Sequence, residues 1–334
     1  MNSYELEKYK NILKNNVGFN DIELWLRYAA LNNFKQVNAK IVRKCPDCGA
    51  DSKRTLGQYV YYSTLIHLLE CAKCSLIWSD AHIDPDIIDH HFEMAYKEEE
   101  YFHDQRSNIF KHIATVIDRN TRNGASVIDI GGAKGDMMSE VARLRPDLRI
   151  TILDISNIAT RWAGSHFGFE TITGDIHILE NSSNKYDVVV MSDVLYYEPQ
   201  ISKLWKILPY LIRENGFIVI RVPNKLLIIR LFQLIRNMIY SRNLNNLQYN
   251  IKFYNPEHIY LFRRRYLESR LITLGFDSVK TIPSELLASS VPSIIRILYF
   301  KFASIINIFS WYKIVLTPSM LVIGTFRGSR TETV

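Results

Sequence analysis

From residue 108 onward the chain alternates short apolar runs with stretches of helical periodicity, and that alternation admits few architectures. Seven runs read as strands: SVIDIGG, RITILDIS, FETITGD, YDVVVMSD, GFIVIRVPN, DSVKTIPS and SMLVIGTFRG. The first two are followed by DMMSEVARLR and NIATRWAGSHFG, whose apolar residues recur at helical spacing. Strands buried on both faces and linked by helices pack as a mostly parallel sheet with helices on either side. The pattern predicts an α/β fold, a Rossmann-like, doubly wound seven-stranded sheet over 108–334 with helical lid insertions. Ahead of it lie a helical segment (1–42), a segment holding every cysteine (43–80) and an acidic, aromatic connector (81–107).

The first strand runs into Asp129-Ile130-Gly131-Gly132-Ala133-Lys134-Gly135 and then opens a helix at Asp136. Glycine there lets backbone pass close to a ligand, and the helix start offers free N–H groups. The turn lacks the GxGxxG spacing of dinucleotide sites. With an acid ahead of it, it suits a ligand that carries an ammonium and no pyrophosphate. Nineteen residues past Gly135 the second strand ends in Asp154, where a carboxylate accepts from two ribose hydroxyls. The third ends in Gly174-Asp175, where an acid can accept from an adenine amino group, and the fourth in Ser192-Asp193. Any one such acid has a plainer reading as a helix N-cap. Four in register at successive strand ends point to an adenosyl ligand.

On these residues the chain resembles class I methyltransferases that use S-adenosylmethionine. In that family an acid-x-Gly-x-Gly-x-Gly turn holds the methionine part. The resemblance places it on Asp129, Gly131, Gly132, Ala133 and Gly135, with Ala133 standing for the middle glycine. It implies Asp154 and Ile155 at the ribose, Asp175 and Ile176 at the adenine, and Ser192 at the methionine end. A CxxCG…CxxCSLIW segment, a connector with Tyr101, Phe102 and Arg106, and then this fold is an order similar to bacterial sugar and surface-polysaccharide methyltransferases. That likeness implies a sugar-type acceptor, with Tyr101 and Arg106 beside the cofactor.

The four cysteines form two C-x2-C pairs, Cys45/Cys48 and Cys71/Cys74, separated by 22 residues. Two residues between thiolates let one tight turn aim both sulfurs at a single ion, and two such turns complete a tetrahedral site that suits a structural Zn2+. Gly49 closes the first knuckle, and YVYYSTLIHLLE between the pairs reads as the short strands of a zinc ribbon. Two disulfides, or a thioredoxin-like redox pair, are the rival readings. The polar start MNSYELEKYK carries no apolar leader, which favours a reducing, cytoplasmic setting and hence the metal.

Methyl transfer to a carbon or hydroxyl acceptor calls for a base, most often histidine or a raised carboxylate. After the fourth strand the chain reads Val194-Leu195-Tyr196-Tyr197-Glu198-Pro199, without the Glu-His pair common in relatives, so a base there would be Tyr197 or Glu198. The stretch Asn255-Pro256-Glu257-His258-Ile259-Tyr260 is similar to one that supplies Glu and His to the acceptor site of sugar C-methyltransferases. The expected base is therefore His258, oriented by Glu257, with Tyr197 lining the site. Packing within the lid is the plainer role for His258.

Charge divides the chain. From Arg221 onward there are 16 Lys/Arg against 5 Asp/Glu, and the first 220 residues carry the acidic excess. A basic, apolar final third suits an anionic partner such as a diphosphate, a lipid surface or RNA. The insertion over 225–254 reads as an amphipathic lid, and 294–311 as an apolar helix with two cations, suited to core packing or to peripheral membrane contact. RNA methylation and a non-catalytic cofactor-binding scaffold are the rival functions. SDVLYY lacks the Asn/Asp-Pro-Pro-Tyr/Phe type of motif that RNA-modifying relatives carry.

Overall fold

A computed structural model describes residues 42–61, 64–80, 89, 92–93, 95–97, 103–226, 258–287 and 293–328. The helix expected over 1–42 and the lid expected over 225–254 lie outside the described residues except at their ends, as do Tyr101, Phe102 and Glu257. Among the described residues no helix is long and apolar enough to cross a membrane.

All seven apolar runs are strands of one sheet: β4 (Ser126–Ile130), β5 (Arg149–Asp154), β6 (Glu170–Thr173), β7 (Tyr186–Ser192), β8 (Ile212–Pro223), β10 (Phe276–Pro283) and β11 (Ser319–Phe326). Their order is β10-β11-β8-β7-β4-β5-β6; β11 runs antiparallel to both its neighbours and the remaining pairs are parallel. The chain moves outward from β4 to β6, then returns to β7 on the other side of β4. That reversal opens a crevice at the C-terminal strand ends, where open α/β sheets bind ligands.

Alternate residues of the central strands feed two cores, as period-two side-chain geometry requires. Val127, Val188 and Val190 join Ile113 and Ile117 of α1 (His103–Asn120), Met138 of α2 (Asp136–Leu144) and Ala163 of α3 (Asn157–Phe167). Ile128, Val189 and Met191 join Trp205 of α4 (Ile201–Leu211) and Leu267 of α5 (Arg264–Thr273).

The cysteine segment belongs to that second core. Its strands β1 (Lys53–Tyr61), β2 (Thr64–Cys71) and β3 (Ile77–Ser79) form an antiparallel sheet, which β9 (Tyr260–Leu261) extends by pairing Ile77 with Leu261 and Trp78 with Tyr260. Trp78 is fully buried and donates its indole N–H to the Val42 carbonyl at 3.0 Å. Two ion pairs tie the sheet to α5: Arg263 to Glu70 at 3.0 Å, and Arg270 to the buried Asp47. The last helix, α6 (Ser293–Phe309), bridges β10 and β11.

Candidate active site

The turn after β4 packs closely against its own neighbours. Gly131 has φ +71°, and a Cβ there would stand 2.5 Å from Val194 Cγ2; one on Gly132 would stand 2.9 Å from Ile152 Cγ2 and 3.0 Å from Asp129 Oδ2. Both distances are too short for any side chain, so glycine is required at each. Ala133 also takes a left-handed conformation, φ +50°, at a cost of about 1 kcal/mol relative to glycine. The Gly135 N–H closes the turn onto the Gly132 carbonyl at 2.9 Å. Lys134 is buried with its ammonium 4.9 Å from the Trp162 ring centre.

Asp129 sits beneath this turn, only 1% exposed, and neither carboxylate oxygen has a hydrogen-bond partner among the described residues. Burial, and then the Asp154 charge, push its carboxyl well above the usual carboxylate range. A buried acid without a partner is destabilising unless a cation joins it. The ammonium of a methionine moiety is such a cation.

Asp154 is also buried, but partnered. Its Oδ2 accepts the Ala133 N–H at 2.8 Å and its Oδ1 the Ser156 N–H at 2.9 Å, which locks the end of β5 to the turn after β4. Burial pushes it up to about 6, with those amides opposing. Each oxygen keeps a second lone pair for a ribose hydroxyl. Ile155 beside it is an exposed apolar side chain, suited to lie against a nucleoside. The Gly174 N–H bonds the Asp154 carbonyl at 2.9 Å, so the loop after β6 joins the same group. Asp175 there is exposed and caps a short 3-10 turn by accepting the His177 N–H at 2.9 Å, while Ile176 is buried. The loops after β4, β5 and β6 thus meet at adjacent strand ends.

At the end of β7, Ser192 is half-buried, and Asp193 turns left-handed at φ +59°. Asp193 pairs with the buried Arg221 of β8, whose Nε donates to Ser284 Oγ at 2.9 Å; Arg106 of α1 approaches the same carboxylate at 3.6 Å. Arg106 therefore stands beside the loop after β7, while Tyr101 lies outside the described residues. Sequence reasoning missed the Asp193–Arg221 pair. A lone guanidinium inside the apolar run GFIVIRVPN was its signal. It also missed His177–Glu198, 3.2 Å apart and both largely buried, which occupies the Glu198 carboxylate.

His258 is buried against the loop after β7. Its ring stacks on Tyr196 with centres 3.8 Å apart and meets Tyr197 edge-on at 5.5 Å; Tyr197 in turn meets Phe92 edge-on at 5.4 Å. The next residue is clamped on both sides: the Ile259 N–H donates to the Tyr196 carbonyl at 2.9 Å, and the Ser79 N–H donates to the Ile259 carbonyl at 3.0 Å. Burial, and then the Lys225 charge, hold the imidazole well below its ordinary value, so it is neutral at physiological pH.

A family model described as "Methyltransferase domain" matches residues 101–281, more than half of the chain and the whole of this crevice. The chain belongs to that methyltransferase family. It is an S-adenosylmethionine-dependent enzyme, and the orphaned Asp129 fits that cofactor's ammonium. Solved structures similar to this methyltransferase include the plantazolicin methyltransferase BpumL in complex with SAH, 16% identical, with a TM-score of 0.45 over 73% of this chain and 91% of that one. A SAM-dependent methyltransferase from Archaeoglobus fulgidus is 19% identical, with a TM-score of 0.41 over 68% of this chain and 100% of that one. The CurJ carbon methyltransferase is 16% identical, with a TM-score of 0.43 over 66% of this chain, and the match spans 54% of its length. No curated protein matches the chain.

The methyltransferase's cysteines converge. All four sulfurs lie within 4.8 Å of one another, with Cys45–Cys74 at 3.5 Å and Cys48–Cys71 at 3.6 Å. A disulfide needs about 2.05 Å, whereas thiolates around one zinc stand about 3.8 Å apart given Zn–S bonds of about 2.3 Å. The two knuckles repeat one geometry. The Gly49 N–H bonds the Cys45 carbonyl at 2.9 Å and the Ser75 N–H bonds the Cys71 carbonyl at 3.0 Å, and both residues are left-handed. The shared hydrogen bond lowers the Cys45 thiol and raises that of Cys74, and burial raises that of Cys48, so the convergence of the four sulfurs is what marks the site. The set could hold one Zn2+ and leaves no position open for substrate.

Proposed function

We propose that this methyltransferase alkylates a sugar or nucleotide sugar, as in surface-polysaccharide or deoxysugar assembly, and that His258 takes the acceptor's proton. The bound cofactor supplies an activated methyl group and its leaving group. The chain then has to hold the acceptor in line and accept a proton. The observation that carries the reading is the placement of the His258 ring against Tyr196 and Tyr197, on the loop that begins at Ser192. The Ile259 clamp limits its movement, and the cysteine sheet forms half of that clamp through Ser79. Glu257, next to it in sequence, is the residue we assign to orient the ring. The sugar class is supported by the order of cysteine segment, aromatic connector and catalytic fold. The same reading makes the four cysteines a structural zinc site.

The test is incubation of the full chain with methyl-labelled S-adenosylmethionine and a panel of nucleotide sugars, lipid-linked sugars and tRNA. Label should enter a sugar, and His258→Gln should abolish that transfer while cofactor affinity stays unchanged. Label entering tRNA alone, or full turnover in the variant, would overturn the assignment.

A further inference from the structure

Helix α6 turns a mixed stripe inward and leaves most of its large apolar side chains outside. A helix on a water-soluble surface buries its apolar stripe and exposes its polar one. Here the residues turned inward include Arg296, Ala303 and Asn307, at 8%, 0% and 1% exposure. Asn307 fixes that orientation, because its side-chain amide donates to the Thr281 carbonyl of β10 at 3.0 Å and to the Ile314 carbonyl at 2.9 Å. The outward side carries Ile294, Leu298, Phe302, Ile305 and Phe309, and Trp311 follows at the helix end. These six side chains are between 52% and 81% exposed. An apolar face this continuous marks a contact surface.

The charge around it selects the occupant. Residues 286–331 contain no Asp or Glu, and Lys301 and Lys313 are exposed on or beside the helix. Such a surface attracts an anionic partner and repels an acidic one's opposite. Trp311-Tyr312-Lys313 at the end of the helix has the amphipathic composition found at the headgroup level of bilayers. The 17 residues of α6 extend about 26 Å, and the helix is not one that crosses a membrane. We propose that α6 and the turn after it dock the enzyme on an anionic lipid bilayer, with the helix lying in the plane of the interface and its Ile, Leu and Phe side chains in the acyl boundary.

Flotation of the full chain with mixed phosphatidylcholine–phosphatidylglycerol vesicles, against pure phosphatidylcholine vesicles, tests this. The chain should partition onto the anionic vesicles, and high salt should weaken the partitioning. A Leu298→Asn/Phe302→Asn/Trp311→Ser variant should partition at least about tenfold less, with unchanged circular dichroism and S-adenosylmethionine affinity. The substituted side chains are exposed, so the fold does not depend on them. Failure to bind the anionic vesicles, or equal partitioning of the variant, would overturn the proposal. So would a concentration-dependent dimer that the variant dissolves, because the face would then meet a second copy.

Discussion

Asp129→Asn separates the two things a buried carboxylate does here. The substitution keeps shape and removes charge at a site where neither oxygen has a partner among the described residues. With cofactor bound, the carboxylate neutralises a desolvated ammonium, and removing one partner of such a pair costs about 3–5 kcal/mol. That corresponds to a loss of roughly two to three and a half orders of magnitude in S-adenosylmethionine affinity, measurable by calorimetry. Without cofactor the sign reverses. A carboxyl whose folded pKa is raised binds more protons in the folded chain than in the unfolded one, so it lowers stability as pH rises above the ordinary carboxylate value. The variant lacks that slope, and its unliganded melting temperature should equal or exceed the wild type's, with the gap widening toward neutral pH. A variant that binds within about threefold of the wild type, or one whose unliganded form melts lower at neutral pH, would refute the reasoning.

The remaining predictions address the fold around this site. Metal analysis should return one zinc per chain, and Cys71→Ser should lower the melting temperature and abolish zinc binding; a fully stable, metal-free variant would contradict a structural site. Ala133→Gly relieves a left-handed alanine at a cost in unfolded-state entropy, so thermal melting should show a change between zero and about 1 kcal/mol of stabilisation. Destabilisation beyond that range would mean the methyl group packs usefully. His112 and His258 are both held neutral by burial, His112 down to about 4. Groups with depressed folded pKa contribute stability above the unfolded histidine value of about 6.5 that is lost as pH falls toward 4. Urea titrations should show this loss, and it should shrink in His112→Gln.

Much of this was legible in the sequence because it is local. Each of the seven strands is a short apolar run bounded by turn chemistry, and the residues expected to hold the cofactor fall where those runs end. Pairings distant in sequence were not legible. Strand β9 is only two residues long, too short to show a period, so nothing in Tyr260-Leu261 announces that it joins the cysteine sheet at Ile77 and Trp78. The contacts His177–Glu198 and Arg106–Asp193 exist only once separate elements converge. For α6 the pattern was apolar nearly all round, which left its inward face undetermined. Two hydrogen bonds from Asn307 decide it, turning Arg296, Ala303 and Asn307 inward while most of the large apolar side chains stay exposed. The Asp175 carboxylate illustrates the opposite limit, because its capping of the 3-10 turn is the plainer role the sequence also allowed.

Photo-cross-linking of labelled S-adenosylmethionine to the full chain, followed by peptide mapping, tests the cofactor site most directly. Label should attach to peptides containing residues 129–136, 154–156 or 174–176, and excess unlabelled cofactor should prevent it. Attachment confined to other peptides, or none that unlabelled cofactor displaces, would contradict the placement of the cofactor at these strand ends.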